Sequence, residues 1–175
     1  MSSYKIIYIL VEGEDDKKFI EKILKPKLKE KYNEVKIYLF ANKRKDKINN
    51  LIKSIDSQGN EYIYMTDIND SPCITEKKER IKRRLININK NRILVVIKEI
   101  ESWIFAGLNK ESFKKLKIKK VPKMSEITKE QFNALIPKRY TSRIDFILEI
   151  YKNYSINIAK NNNKSFKYFL DKYDC

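Results

Sequence analysis

The sequence predicts an α/β fold: a three-layer α/β/α arrangement on a parallel sheet of about four strands, followed by a helical C-terminal extension. Three observations predict it. Apolar runs rich in β-branched and aromatic residues recur at 4–11, 35–40, 61–66 and 92–97. Each is followed, after a short connection, by a stretch with helical periodicity, and that alternation calls for a parallel sheet covered on both faces. Beyond residue 109 the strand-like runs stop and only helical stretches remain. The 175 residues suit one domain with a small appendage. The expected division is 1–108 for the α/β domain and 109–175 for a helical extension packed on the same core.

The first run ends in Val11-Glu12-Gly13-Glu14-Asp15-Asp16. A fully apolar strand of this length reads as buried and parallel. Gly13 is expected to let the chain turn tightly, leaving Glu12 at the carboxyl edge, where open α/β sheets build ligand sites. Residues 16–32 read as an amphipathic helix with Phe19, Ile20, Ile23, Leu24 and Leu28 inward, kinked or ended by Pro26. The second strand, 35–40, runs into a basic loop at Lys43-Arg44-Lys45. Helix 46–55 follows, with Ile48, Leu51, Ile52 and Ile55 spaced for burial, and residues 57–60 form a turn.

The third strand, 61–66, is followed at once by Asp67-Ile68-Asn69-Asp70-Ser71-Pro72. A helix over 75–85 is expected next, with Thr75 as its N-cap. The fourth strand leads into Lys98-Glu99-Ile100-Glu101-Ser102-Trp103 and a helix carrying Trp103, Ile104 and Phe105. Residues 109–126 are lysine-rich and poorly periodic. Helices are expected at about 128–135, 139–153 and 164–173, with Asn161-Asn162-Asn163 as a loop.

Composition narrows the chemistry. At 42% hydrophobic, with eleven Tyr and eight Phe, the chain is globular rather than disordered. No apolar run reaches transmembrane length and no signal peptide is read before the first strand, so no membrane partner is expected. Two cysteines and no histidine argue against zinc chemistry, histidine triads and haem, and suit a reducing cytoplasm. A metal site built here must use carboxylates, which favours Mg²⁺ or Mn²⁺. The net charge of +16 points to a polyanionic partner, most simply DNA or RNA. Part of that charge reflects a Lys-, Asn- and Ile-heavy composition of the kind AT-rich coding produces.

The acids gather at three strand ends: Glu12 and Asp16, then Asp67 and Asp70, then Glu99 and Glu101. In a parallel sheet such ends share one edge, and a divalent cation would relieve their repulsion while binding phosphate oxygens. Taken singly, each cluster has a plainer reading. First-turn acids complement a helix dipole, residues 67–72 make an Asx-type turn, and Lys43, Arg44 and Lys45 form a solvated loop. Trp103 reads as core, and Arg80, Arg83 and Arg84 as an exposed helix face.

Val-Glu-Gly-x-x-Asp after a hydrophobic strand resembles the first motif of TOPRIM domains, the Rossmann-like catalytic modules of topoisomerases, primases and OLD-family nucleases. Those domains place a glutamate after the first strand and an Asp-x-Asp pair after the third. Glu12 and Asp67 match; Asn69 stands where the second aspartate would fall, with Asp70 beside it. Glu-Ile-Glu-Ser-Trp-Ile-Phe-Ala (99–106) and Ser165-Phe166-x-x-Phe169-Leu170 resemble segments of small stand-alone OLD-like TOPRIM proteins. The resemblance implies a Mg²⁺-dependent nuclease with Glu12, Asp16, Asp67, Asn69, Asp70 and Glu101 around the metal. Glu12, Asp67 and Lys98 would be catalytic, with nucleic acid held by Lys43, Arg44 and Lys45. OLD-type nucleases often serve beside an ATPase, and with no Walker motif here such an ATPase would be a separate chain. The departure at Asn69 favours an alternative, a non-catalytic nucleic-acid-binding or regulatory module with a degenerate metal site. A phosphatase-like or receiver-like domain fits less well, since a receiver pairs its acids after the first strand and keeps one aspartate after the third.

Overall fold

A computed structural model describes residues 4–119 and 123–173. The chain folds as two compact units that divide after residue 95, one residue before the end of the fourth strand.

The first unit holds a four-stranded sheet of β1 (Ile6–Val11), β2 (Glu34–Leu39), β3 (Glu61–Asp67) and β4 (Ile93–Val96). All strands are parallel, in the order β2-β1-β3-β4. Leu10 pairs with Tyr38 on one side and with Tyr64 on the other. The chain first steps from β1 to β2, then returns past β1 to β3 and continues outward. Strand order therefore reverses between β1 and β3, and that reversal is where open sheets leave a crevice at their carboxyl ends.

Right-handed crossovers also fix which helix covers which face. The step to β2 puts α1 (Glu14–Phe19) and α2 (Lys25–Leu28) on one face. The two steps the other way put α3 (Lys45–Ser57) and α4 (Ile74–Arg84) on the opposite face. There Ile48, Ile52, Ile55, Ile81 and Leu85 pack with Leu10, Phe40, Tyr62 and Tyr64 in one buried cluster. Phe40 and Tyr64 stack, with ring centroids 4.6 Å apart.

Helix α1 starts two residues earlier than the sequence indicates, and the helical path does not break at Pro26. A π turn, Ile20–Leu24, intervenes instead, closed by a bond from the Lys25 amide to the Ile20 carbonyl. A wider turn before the proline relieves the clash its ring would make with the preceding turn. The α4 N-cap is Cys73, whose Sγ accepts from the Glu76 amide at 3.5 Å, and not Thr75. Thr75 lies inside the first turn.

The second unit is helical: α5 (Ile100–Ala106), α6 (Lys110–Lys115), α7 (Lys129–Ala134), α8 (Arg143–Lys152), α9 (Ile156–Asn162) and α10 (Lys164–Tyr173). Helix α5 is buried along its whole length, as the run Trp103-Ile104-Phe105 suggests. Helix α9 is not among the helices expected from the sequence and takes in Asn161 and Asn162, which read as part of a loop; only Ala159 of it is fully buried, so its apolar period is weak. Asn163 is not a surface loop residue. It is 2% exposed, and its Oδ1 accepts from the amides of Ser165 and Phe166, both at 3.1 Å, capping α10. Ser165 Oγ in turn accepts the indole proton of Trp103 at 2.8 Å and donates to Asn163 Oδ1 at 2.8 Å. No helix among the described residues is long and apolar enough to cross a membrane.

Gly107 ends α5 against a ring. A Cβ there would lie 2.4 Å from Cε2 of Tyr154, whose hydroxyl donates to the Trp103 carbonyl at 2.9 Å. Gly107→Ala is expected to lower unfolding stability by about 1–3 kcal/mol, the usual range for overpacking. Urea denaturation measures it, and an unchanged midpoint would show that the ring moves aside freely.

Candidate functional site

The carboxyl edge of β1 and β3 is built by the pairing of those two strands. Leu10 and Tyr64 are partners, so β3 runs two residues further than β1, and Glu12 and Asp67 lie two and three residues past that pair on neighbouring strands. Glu12, exposed, follows β1, and Asp67, half-buried, is the last residue of β3. These two carboxylates flank the strand-order reversal between β1 and β3.

The turn after β1 works differently from expectation. Gly13 has φ −123° and ψ 169°, an extended conformation open to any residue. Its value is room: an added Cβ would sit 3.1 Å from Asp16 Oδ2, and that oxygen accepts from the Gly13 amide at 2.9 Å. Asp16 therefore points back toward the strand end while capping its own helix.

After β3 the chain turns through Asn69 at φ +48°. Asn and Asp reach this left-handed region at less cost than other side chains because their short polar groups bond locally. The replacement of an expected aspartate by Asn69 is thus compatible with the turn. Asn69 and Asp70 are exposed, and with Ser71 they line a pocket of about 290 Å³ that reaches Tyr64 on one side and Lys77, Arg80 and Arg84 of α4 on another. Burial pushes the pKa of the Tyr64 hydroxyl well up; Arg84 opposes that rise and Glu12 adds to it. Of the cations lining this pocket, Arg80 and Arg84 read in the sequence only as an exposed helix face, and Lys77 is given no reading there. Their signal was present in the spacing of Lys77, Arg80 and Arg84, which places three positive charges on one stripe of a helix.

Of the basic loop, Lys43 and Arg44 precede α3 and Lys45 opens it; all three are exposed. Arg44 Nε bonds Asp46 Oδ1 at 3.2 Å, an exposed pair of small energetic consequence.

Lys98 and Glu101 belong to the second unit. Lys98 is exposed and takes φ +67°, a strained conformation for a lysine. Glu101 is buried, and its carboxylate receives Arg143 Nη2 at 2.6 Å. Burial raises its pKa above the usual carboxylate range, with the Arg143 charge opposing the rise. Glu99 accepts from the Lys129 amide at the start of α7.

Among the described residues, no three of His, Cys, Asp and Glu converge closely enough to hold a metal as a protein-only cage. Glu12 and Asp67 supply hard oxygen donors and no sulfur or imidazole accompanies them. That donor set fits Mg²⁺, which is commonly bound through one or two carboxylates with water and substrate phosphate completing its shell. It does not fit zinc. No protein-family model matches the chain, and neither do curated proteins or solved structures.

Proposed function

We propose that the protein is a Mg²⁺-dependent nuclease of the TOPRIM type, hydrolysing phosphodiester bonds in DNA or RNA. The observation that carries this reading is the place of Glu12 and Asp67 at the strand-order reversal of a parallel sheet, on a chain of net charge +16. Glu12 and Asp67 would hold the cation, with the Asn69 side-chain carbonyl as a further oxygen donor and water and substrate phosphate completing the shell. When bound, such a cation supplies Lewis-acid stabilisation of charge on the phosphate oxygens. Alternatively, Glu12, which is exposed, would take a proton from an attacking water. The water oxygen then bonds to phosphorus as the bond to the leaving sugar oxygen breaks, and that oxygen takes up a proton from solvent. Exposed Lys43 and Lys45 would draw the strand toward this edge.

The test is an assay of the intact protein on single- and double-stranded DNA and RNA, with Mg²⁺ or Mn²⁺ and with EDTA. Cleavage that requires the cation supports the reading. Binding that persists in EDTA, with no cleavage of any substrate, favours a non-catalytic nucleic-acid-binding module. Asn69 is the observation on that side, and it yields a prediction. Asn69→Asp, at a φ that aspartate tolerates, is expected to tighten Mn²⁺ binding about threefold to tenfold by adding a charged ligand. Calorimetry measures the change, and an unaltered affinity would place residue 69 outside the metal's reach.

A further inference from the structure

The pocket between the β3–α4 turn and α4 is not accounted for by metal chemistry. Its walls carry three cations, Lys77, Arg80 and Arg84, against one acid, Asp70. Arg80 Nε is engaged by Glu76 at 3.1 Å, and Glu76 also receives Arg83. That shared carboxylate holds the Arg80 side chain in place along the helix. Among the described residues no salt bridge ties Lys77 or Arg84 to a carboxylate. Like charges on one helical stripe repel, so a protein gains by giving them a common counter-charge. The floor is Tyr64, 5% exposed, whose hydroxyl is a hydrogen-bond donor, and the rim adds the Asn69 amide and the Ser71 hydroxyl. Donors and positive charge thus surround a space larger than a bare phosphate needs.

We propose that this pocket is a phosphate subsite, in which Arg84 and Lys77, with Arg80, hold a phosphate group of a nucleic-acid strand whose neighbouring phosphodiester lies at the Glu12–Asp67 edge. This rests on the nuclease reading and adds to it the residues that position the strand. Arginine supplies a planar fork suited to phosphate oxygens, and lysine a point charge. The phosphate is either an internal diester or a terminal monoester, and both present the same anionic oxygens.

The experiment is fluorescence anisotropy of the full chain with a labelled single-stranded oligonucleotide, made with and without a 5′-phosphate, across a salt series. It uses Arg84→Gln, Lys77→Gln and, as a control for diffuse charge, Lys110→Gln, an exposed lysine at the start of α6. The pocket variants are expected to lose about threefold to tenfold in affinity, with the log–log salt slope smaller by about 0.7 for each contact removed. Arg84→Lys is expected to recover part of the loss. A loss seen with both oligonucleotides identifies an internal phosphate; a loss confined to the 5′-phosphorylated one identifies a terminal phosphate. If the intact protein binds and cleaves nucleic acid while the pocket variants match Lys110→Gln, the subsite is overturned and the nuclease reading stands. If the intact protein neither binds nor cleaves nucleic acid, both fall together.

Discussion

Glu12→Gln and Asp67→Asn are each expected to reduce Mg²⁺-dependent cleavage by about a hundredfold to a thousandfold, the range found when one group stabilising transition-state charge is removed. Both changes keep side-chain volume and take away one negative charge. Glu12 is exposed, so its amide replacement leaves the core untouched, and the thermal midpoint should stay where it is. Asp67 is half-buried at the end of a central strand, and a small change in stability there would not explain a loss of that size. Single-turnover cleavage rates at saturating Mg²⁺, with calorimetric Mn²⁺ binding, measure the effect. Loss of cation binding in both variants places the two carboxylates at one site. Full activity in Glu12→Gln would remove Glu12 from the machinery and with it the proposed reaction centre.

The second large effect is on stability. Arg143→Met is expected to cost about 3–5 kcal/mol at neutral pH, the range for stripping the partner from a buried charge. Arg143 reaches Glu101 Oε1 at 2.6 Å and lies over the Phe132 ring, 4.5 Å from its centroid; methionine keeps the stem's packing and removes the charge. Glu101 already has a raised pKa in the folded protein because burial disfavours its charged form. A carboxyl group raised on folding binds its proton more tightly in the native state. Its contribution to stability is therefore fully present below the unfolded carboxylate pKa and is lost as pH rises through the folded value. Without Arg143 that rise grows, so the deficit of the variant should shrink on acidification from neutral pH toward pH 5. Urea unfolding at the two pH values checks the sign, and Glu101→Gln combined with Arg143→Met should recover much of the loss. A deficit that is the same at both pH values would mean that the guanidinium's packing, and not its charge, is what stabilises the unit.

The sheet was legible because its signal is local. Runs such as Ile6–Val11 and Ile93–Val96 are apolar throughout, and a strand covered on both faces has no other way to read. Strand order was not legible, since the period of a run says nothing of its neighbours; the position of β1 between β2 and β3 needed the structure. Glu12 and Asp67 could be singled out because a carboxylate at the end of an apolar strand is out of keeping with its surroundings. Arg80 and Arg84 read as part of an exposed helix face, and the structure adds that they and Lys77 line one pocket with Asn69, Asp70 and Ser71 of the β3–α4 turn. Gly13 reads in the sequence as the residue of a tight turn, whereas its backbone is extended and its lack of a Cβ makes room for Asp16. Asn163 was hidden for a similar reason: asparagine next to asparagine reads as a loop, and only its burial reveals a cap.

The chain has one tryptophan, and Trp103 is wholly buried in the second unit, edge-on to Phe166 at 5.0 Å and hydrogen-bonded through its indole nitrogen. Its emission consequently reports on its buried surroundings in the second unit, while the proposed cation and phosphate positions all lie in a unit that contains no tryptophan. Denaturation followed by fluorescence and by far-ultraviolet dichroism would coincide only if the two units melt as one cooperative body. Added Mg²⁺ and oligonucleotide, binding the first unit, would shift the fluorescence transition only through such coupling.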